Sequence, residues 1–263
     1  MIGDLSISII LPVHDQQSII GRIIQSILKN SSDNVKEFFI ILDGCTDNSE
    51  QVILENLINV PKQMTIKLFY TPDIWETKCC NFGFKKSTCQ YCLNIQDDME
   101  IQQPNFDQFL LEPFSKFSNI LAVSGRDAVD CRILNGKLDY YNCGGKDVNT
   151  LQNVFSIRDA VNRGPLLLDN EKLQELNYLD ELFAPLDSDD VDLSLRGYKE
   201  KGYLVGSRTV NYFSPLAWGK TRSNFTSNRI WEASMIKNHK IIIERHKEYL
   251  LSNVKHSQDI ILE

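Results

Sequence analysis

Two acidic groups in this chain have the composition to do chemistry. In Tyr91-Cys-Leu-Asn-Ile-Gln-Asp-Asp-Met-Glu100 a short apolar run ends in three carboxylates, Asp97, Asp98 and Glu100. Carboxylates packed this closely repel one another, and a hard divalent cation such as Mg²⁺ or Mn²⁺ offsets that charge through oxygen ligands. A solvated acidic turn is the plainer reading, since acidic doublets are common in loops. The second group, Asp187-Ser-Asp-Asp-Val-Asp192, opens a segment in which Val191, Leu195 and Tyr198 share one helical face. The macrodipole favours negative charge at a helix N-terminus, so Asp187 and Asp189 also read as caps.

The elements that must position these groups follow from the apolar pattern. Leu5 to Val13 is a nearly continuous β-branched run, as expected of a strand buried on both faces of a parallel sheet. Ser18 to Lys29 places Ile19, Ile20, Ile23, Ile24, Ile27 and Leu28 at helical spacing, with Ser18 as N-cap. Further strands are expected at Lys36 to Leu42, Ile66 to Tyr70 and Tyr91 to Ile95, and a helix at Thr77 to Ser87. Strand alternating with helix predicts a parallel, right-handed, Rossmann-like sheet, whose ligands sit at the carboxyl ends of the strands. Beyond Glu100 the reading is a strand at Leu121 to Ser124, a polar glycine-containing stretch at Asp139 to Val148, and strand and turn around Gly164-Pro165. Gly202 to Gly206 is a short strand. Phe213 to Asn228 has the composition of a mobile loop, and Arg229 to Asn253 reads as an amphipathic packing helix.

Composition narrows the classes. With 263 residues, 42% hydrophobic and 24% charged, the chain fits one enzyme-sized globular unit, folded nearly end to end. A net charge of -7 excludes a basic grip on nucleic acid, and no apolar run is long enough to span a bilayer. Seven cysteines without an evident signal peptide read as reduced thiols, so a cytoplasmic location is expected. Cys79, Cys80, Cys89 and Cys92 have the ligand types for Zn²⁺, but their register suits the end of a helix running into a strand better than a tight knuckle.

Six stretches in order carry a resemblance to family 2 glycosyltransferases of GT-A fold, over about residues 5 to 250. SIILPVHD is similar to the family's apolar strand ending in Pro-Val-Tyr-Asn, ILDGCTDNS to its Asp-Asp-Gly-Ser-Thr-Asp loop, and ETKCCNFGF to its Lys-x-x-x-Asn-x-Gly helix. IQDDM stands where the Asp-x-Asp motif belongs, and GPLLL, then LDELFAP with SDDVDLSLRGYKEKGY, resembles the acceptor-side block. The resemblance implies an α/β architecture with a nucleotide-sugar-binding half at 1–100, an acceptor half with a mixed sheet at 101–227, a lid loop at 213–228, and a C-terminal helical extension at 229–263. It implies a nucleotide-sugar donor, UDP by preference, a hydroxyl acceptor such as a glycan, Mn²⁺ or Mg²⁺, and inversion at the anomeric carbon.

Residue by residue, the resemblance implies Asp98 as metal ligand, with Asp97 beside it at the ribose or metal. Pro12, Val13 and Asp43 fall to the nucleobase pocket, Asp15 to its edge and Lys78 to the base or diphosphate. Asp190 is the implied general base, with Asp189, Gly164 and Pro165 on the acceptor side. Gln96 departs from the pattern, standing where the first motif aspartate often lies. No histidine follows the acidic block before His239, so Lys220 and Arg222 are expected to close over the diphosphate instead, and His239, His246 and His256 are expected at the surface. An apolar terminal helix is a frequent dimer surface, which leaves a homodimer as a further expectation. The competing readings are a sugar nucleotidyltransferase, which would need a glycine-rich basic loop that His14-Asp15-Gln16-Gln17 lacks, and a catalytically silent nucleotide- or sugar-binding module.

Overall fold

The structure, a computed structural model, describes residues 5–215, 217–220, 225–252 and 256–262. In chain order the elements are β1 (Ile7–Val13), α1 (Ile20–Asn30), β2 (Val35–Asp43), α2 (Ser49–Asn56), β3 (Thr65–Thr71), α3 (Trp75–Phe84), β4 (Tyr91–Asn94), β5 (Glu100–Ile101), α4 (Phe106–Lys116) and β6 (Ile120–Ser124). There follow β7 (Asp127–Leu134), β8 (Lys137–Gly145), β9 (Val154–Arg158), β10 (Ala160–Val161), β11 (Leu166–Asp169), α5 (Asn170–Glu175), α6 (Asp189–Lys201), β12 (Leu204–Ser207), β13 (Tyr212–Phe213), α7 (Phe225–Leu251) and β14 (Gln258–Ile261).

One nine-stranded sheet, in the order β14-β9-β12-β6-β11-β4-β1-β2-β3, runs through the molecule. The part built from its N-terminal strands is parallel, β4-β1-β2-β3. The unbroken apolar runs of β1 and β2 exist because both faces are covered. Ile9, Leu11 and Val13 of β1 share a core with Ile20, Ile23, Ile24 and Ile27 of α1, while Ile10 and Ile41 belong to a second core with Cys79, Cys80 and Phe84 of α3. Each such isoleucine, fully buried, contributes about 1.5–3 kcal/mol over leaving it in water. α3 seats closely: a Cβ on Gly83 would come within 2.5 Å of Ile10 Cγ2. β11 enters antiparallel to both β4 and β6, which makes the sheet mixed.

A second layer closes the far side. β7 and β8 form an antiparallel hairpin joined by β10, and α7 lies over it with Ile242 and Leu250 buried among Val129, Cys131, Leu138 and Phe183. Among the described residues, no helix is long and apolar enough to cross a membrane.

Several expectations need correction. Ser18 does not cap α1; Ile19 stands at the N-cap and no side chain bonds the helix end. The stretch at 139–148 is mostly strand β8, whose alternating exposed and half-buried residues disguised it. Phe213 lies in β13, paired with β5, and Trp218 packs against the main core, so this part of the supposed mobile loop is tied down. α7 begins at Phe225 and not at Arg229, and β14 follows it, unread in the sequence. His246 is buried, 1% exposed, and not at the surface. Cys79, Cys80, Cys89 and Cys92 are buried thiols outside any disulfide; Cys80 is pushed up to about 12 by desolvation, and three of the four belong to the α3 core.

Candidate functional site

The carboxyl ends of β1, β2 and β4 deliver three loops to one edge of the sheet, because parallel pairing sets Val13 beside Leu42 and Ile10 beside Asn94. Asp97 and Asp98 follow β4 there. The His14 amide donates to Asp97 Oδ2 at 3.0 Å, and Gln16 Nε2 reaches Asp97 Oδ1 at 3.4 Å and the Trp218 carbonyl at 3.0 Å. Burial, with the neighbouring Asp98 charge, pushes the Asp97 carboxyl up to about 7. Asp98 is raised as well, first by burial and then by the Glu76 charge, while Arg126 pulls the other way. Asp98 Oδ1 is buried and has no hydrogen-bond partner among the described residues. The chain at Gly219 lies against the other oxygen, since a Cβ there would stand 2.8 Å from Asp98 Oδ2. Two adjacent carboxylates held above their ordinary range, one with an orphaned buried oxygen, fit a hard divalent cation with oxygen ligands. Glu100 takes no part in this pair: it turns to Arg22 at 2.5 Å, and that guanidinium also stacks over Trp218.

Asp15, Cys45 and Asp47 also bring three ligand atoms within 4.8 Å of one another. Their bonds are already committed. Asp15 accepts from the Thr46 amide and hydroxyl and the Asp47 amide, and Asp47 accepts from the amides of Gln17 and Ser49. Cys45 donates to the Val13 carbonyl, and burial holds its thiol up at about 11, so it is not a thiolate ligand near neutral pH. The trio braces two loops against each other.

Asp43 is likewise occupied. Its Oδ1 accepts from Thr71 Oγ1 at 2.8 Å and the Ile74 amide at 2.7 Å, and its Oδ2 accepts from the Trp75 amide at 2.9 Å, so it satisfies donors at the start of α3. Trp75 holds φ at +69°, and Asp73 at +50°, both left-handed conformations that a side chain penalises. Pro12 is half-buried and Val13 buried at the end of β1, while Lys78 is exposed on α3. The Lys220 side chain and Arg222 lie outside the described residues.

The second acidic group assembles around Arg163. This guanidinium, 8% exposed, pairs with Asp189 through Nη2, with Glu76 Oε1 at 3.2 Å through Nη1, and lies 3.8 Å from Asp190 Oδ2 through Nε. The Arg163 amide donates to that same Asp190 oxygen at 3.1 Å. Asp190 is raised, first by burial, with Arg163 opposing. The cap reading of Asp187 and Asp189 needs correction: Ser188, at φ +63°, occupies the N-cap of α6 and no side chain there makes a capping bond. Asp189 Oδ1 instead accepts from the Asp190 amide, and Asp190 Oδ1 from the Val191 amide. Gly164, at φ +86°, brings the chain so close to Gln96 that a Cβ would stand 2.7 Å from Gln96 Oε1, and Pro165 packs on Gly125.

Both acidic groups are therefore joined through Gln96, which sequence reasoning marked, and through Glu76 and Arg163, which it did not single out. Gln96 Nε2 donates to Glu76 Oε1 at 3.0 Å, and Glu76 holds Arg163. Glu76 opens the ETKCC motif and Arg163 precedes Gly164-Pro165, so each stood beside a residue already marked. Behind α6, Asp192 accepts from Arg196 at 2.7 Å and from Arg245 and His246 at 2.9 Å. The amide of Asn238, fully buried on α7, reaches the carbonyls of Phe183, Leu186 and Asp187 at 2.7–2.9 Å. Residues of α7 thus hold the loop and helix that carry Asp189 and Asp190.

Comparison with known proteins agrees with this architecture. Over 95% of its length the chain superposes on GalNAc-T7, solved with UDP, GalNAc and Mn²⁺, at TM-score 0.68 and 15% identity, covering 50% of that chain. Over 80% it superposes on S. aureus TarS 1–349, solved with UDP, at TM-score 0.52 and 13% identity, covering 60% of that chain. It is 34% identical over 93 residues to a curated protein of Haemophilus influenzae named as an uncharacterized glycosyltransferase, which is 35% of this chain and 36% of that one. The chain thus spans between about a third and three fifths of these relatives. The model for glycosyl transferase family 2 matches residues 8–164, more than half of the sequence. On that match and on its mixed central sheet, this chain belongs to glycosyl transferase family 2 and has the GT-A fold.

Proposed function

We propose that the protein transfers a sugar from a UDP-sugar to an acceptor hydroxyl with inversion, aided by a divalent cation. The observation that carries this is the pairing of an Asp97/Asp98 cation site with a separately held carboxylate, Asp190, through Gln96, Glu76 and Arg163. GalNAc-T7 and TarS, solved with UDP, favour that donor. In this reading Asp98, with Asp97, holds Mn²⁺ or Mg²⁺, which when bound supplies positive charge to a diphosphate leaving group. Pro12, Val13 and the loops braced by Asp15 and Asp43 form the nucleoside pocket, with exposed Lys78 beside it. Asp190, whose burial strengthens its hold on protons, takes the acceptor hydroxyl's proton as that oxygen attacks the anomeric carbon from the face opposite the diphosphate. Arg163 offsets the charge of the buried acidic group, and Asp189, Gly164 and Pro165 shape the acceptor side.

The test is calorimetric titration of the whole chain with UDP, with Mn²⁺ or with EDTA, followed by a donor-hydrolysis assay. Mn²⁺-dependent binding with UDP release supports the reading. Binding unaffected by EDTA removes the metal, and binding without turnover of any UDP-sugar leaves a silent module.

A further inference from the structure

Between the two acidic groups lies a carboxylate with no role so far except structure. Glu76 Oε1 is used by Gln96 and Arg163, but among the described residues Oε2 has no hydrogen-bond or ion-pair partner, and the side chain is 29% exposed. Its charge is felt at Asp97 and Asp98 on one side and at Asp190 on the other. We infer that Glu76, fixed by Gln96 and Arg163, is the subsite that accepts hydrogen bonds from the hydroxyl groups of the sugar being transferred, and that it selects neutral sugars over uronic acids.

The argument is one of connectivity, and it rests on the proposed function. The sugar is bonded to a diphosphate, which must lie at the Asp97/Asp98 end. Its anomeric carbon is attacked by an oxygen activated at Asp190, so the ring has to span the interval that Gln96, Glu76 and Arg163 bridge. Arg163 spends its donors on Glu76, Cys80 and Asp189, leaving little to offer a ligand. Beside that guanidinium the Glu76 side chain presents carboxylate oxygens, which accept hydrogen bonds. A carboxylate in that interval recognises O–H groups through charge-assisted bonds and repels a second carboxylate. Because α3 is seated tightly by Gly83 on Ile10 and its first turn is tied to Asp43, Glu76 is held in place before any ligand arrives.

The test uses the whole chain with Mn²⁺ and measures dissociation constants for UDP and GDP, and for UDP-glucose, UDP-galactose, UDP-N-acetylglucosamine, UDP-glucuronate and GDP-mannose. At least one neutral sugar nucleotide is expected to bind more tightly than its parent diphosphate, and UDP-glucuronate is not. In Glu76→Ala that sugar-dependent gain should fall by roughly ten- to hundredfold at most, down to the affinity of the diphosphate alone. Diphosphate affinity should stay within about twofold, and Glu76→Gln, which keeps an acceptor for Gln96, should restore part of the gain and the melting temperature. An unchanged gain in Glu76→Ala, or tight binding of UDP-glucuronate, overturns the subsite. Loss of diphosphate binding in both variants would make Glu76 a cation ligand instead. If the unmodified chain shows no Mn²⁺-dependent diphosphate binding, the proposed function fails, and the subsite fails with it.

Discussion

Asp98 keeps a buried oxygen without a partner next to a second carboxylate, an arrangement that costs folding energy until something positive arrives. Asp98→Asn is therefore expected to act in opposite directions on two measurements. The Mn²⁺-dependent part of UDP binding should disappear in calorimetry, while the metal-free protein should melt a few degrees higher; about 1 kcal/mol of relieved repulsion corresponds to roughly 2–4 °C in a chain of this size. A lower metal-free Tm would show that the carboxylate is stabilising as it stands. For Asp190→Asn, transfer to an acceptor should fall by roughly 10²–10⁴-fold with donor affinity nearly unchanged. Near-normal transfer by that variant alongside inactive Asp189→Asn would move the base by one residue. Asp192, two residues on, belongs to stability. Burial alone would raise its carboxyl, but the His246 hydrogen bond and the Arg196 and Arg245 charges hold it below 3.8. A depressed folded value means that its contribution is fully present above about pH 5, and is lost as pH falls through 3.8 and then through the lower folded value. Asp192→Asn should thus cost about 3–5 kcal/mol near pH 7, with the difference in Tm shrinking as pH falls below the depressed folded value.

At the scale of elements, α3 positions Glu76, and its seat is the contact of Gly83 with Ile10. Gly83→Ala should cost about 1–3 kcal/mol in denaturant unfolding, because neither the strand nor the helix has room to yield, and should weaken sugar-nucleotide binding beyond any loss in UDP binding. A neutral result in both measurements would show that α3 slides freely on the sheet. How much of this was legible beforehand follows from burial. β1 and β2 are buried on both faces, so their apolar runs announce themselves, and observed ends fall within one or two residues of the reading. β8 has a wetted face and carries Asn142, Cys143 and two glycines, so its pattern resembled a loop. The acidic loops were visible as chemistry, but hydrogen-bonding decides which carboxylates are free: Asp15 and Asp43 are committed to backbone amides, and Glu100 to Arg22. Glu76 and Arg163 escaped notice because 87 residues separate them and only the folded sheet brings them together.

Across the whole molecule, the family match ends at residue 164, yet the loop and helix bearing Asp189 and Asp190 are gripped by Asn238, Arg245 and His246 of α7, and β14 completes the sheet beside β9. That arrangement sets an order of events during synthesis. Strands β1 to β4 are neighbours in the chain and can pair early, so the parallel part of the sheet can assemble while the ribosome is still at work. The acidic block has no Asn238 to hold it until some fifty further residues have emerged. Released chains truncated after residue 215 should resist protease over residues 7–94 but be cut between 180 and 192, and protection there should appear only in chains long enough to include α7. On the proposed function, the growing polypeptide would then form the strands behind Asp97 and Asp98 well before Asp190 is held in place, so an unfinished copy would lack a positioned proton acceptor.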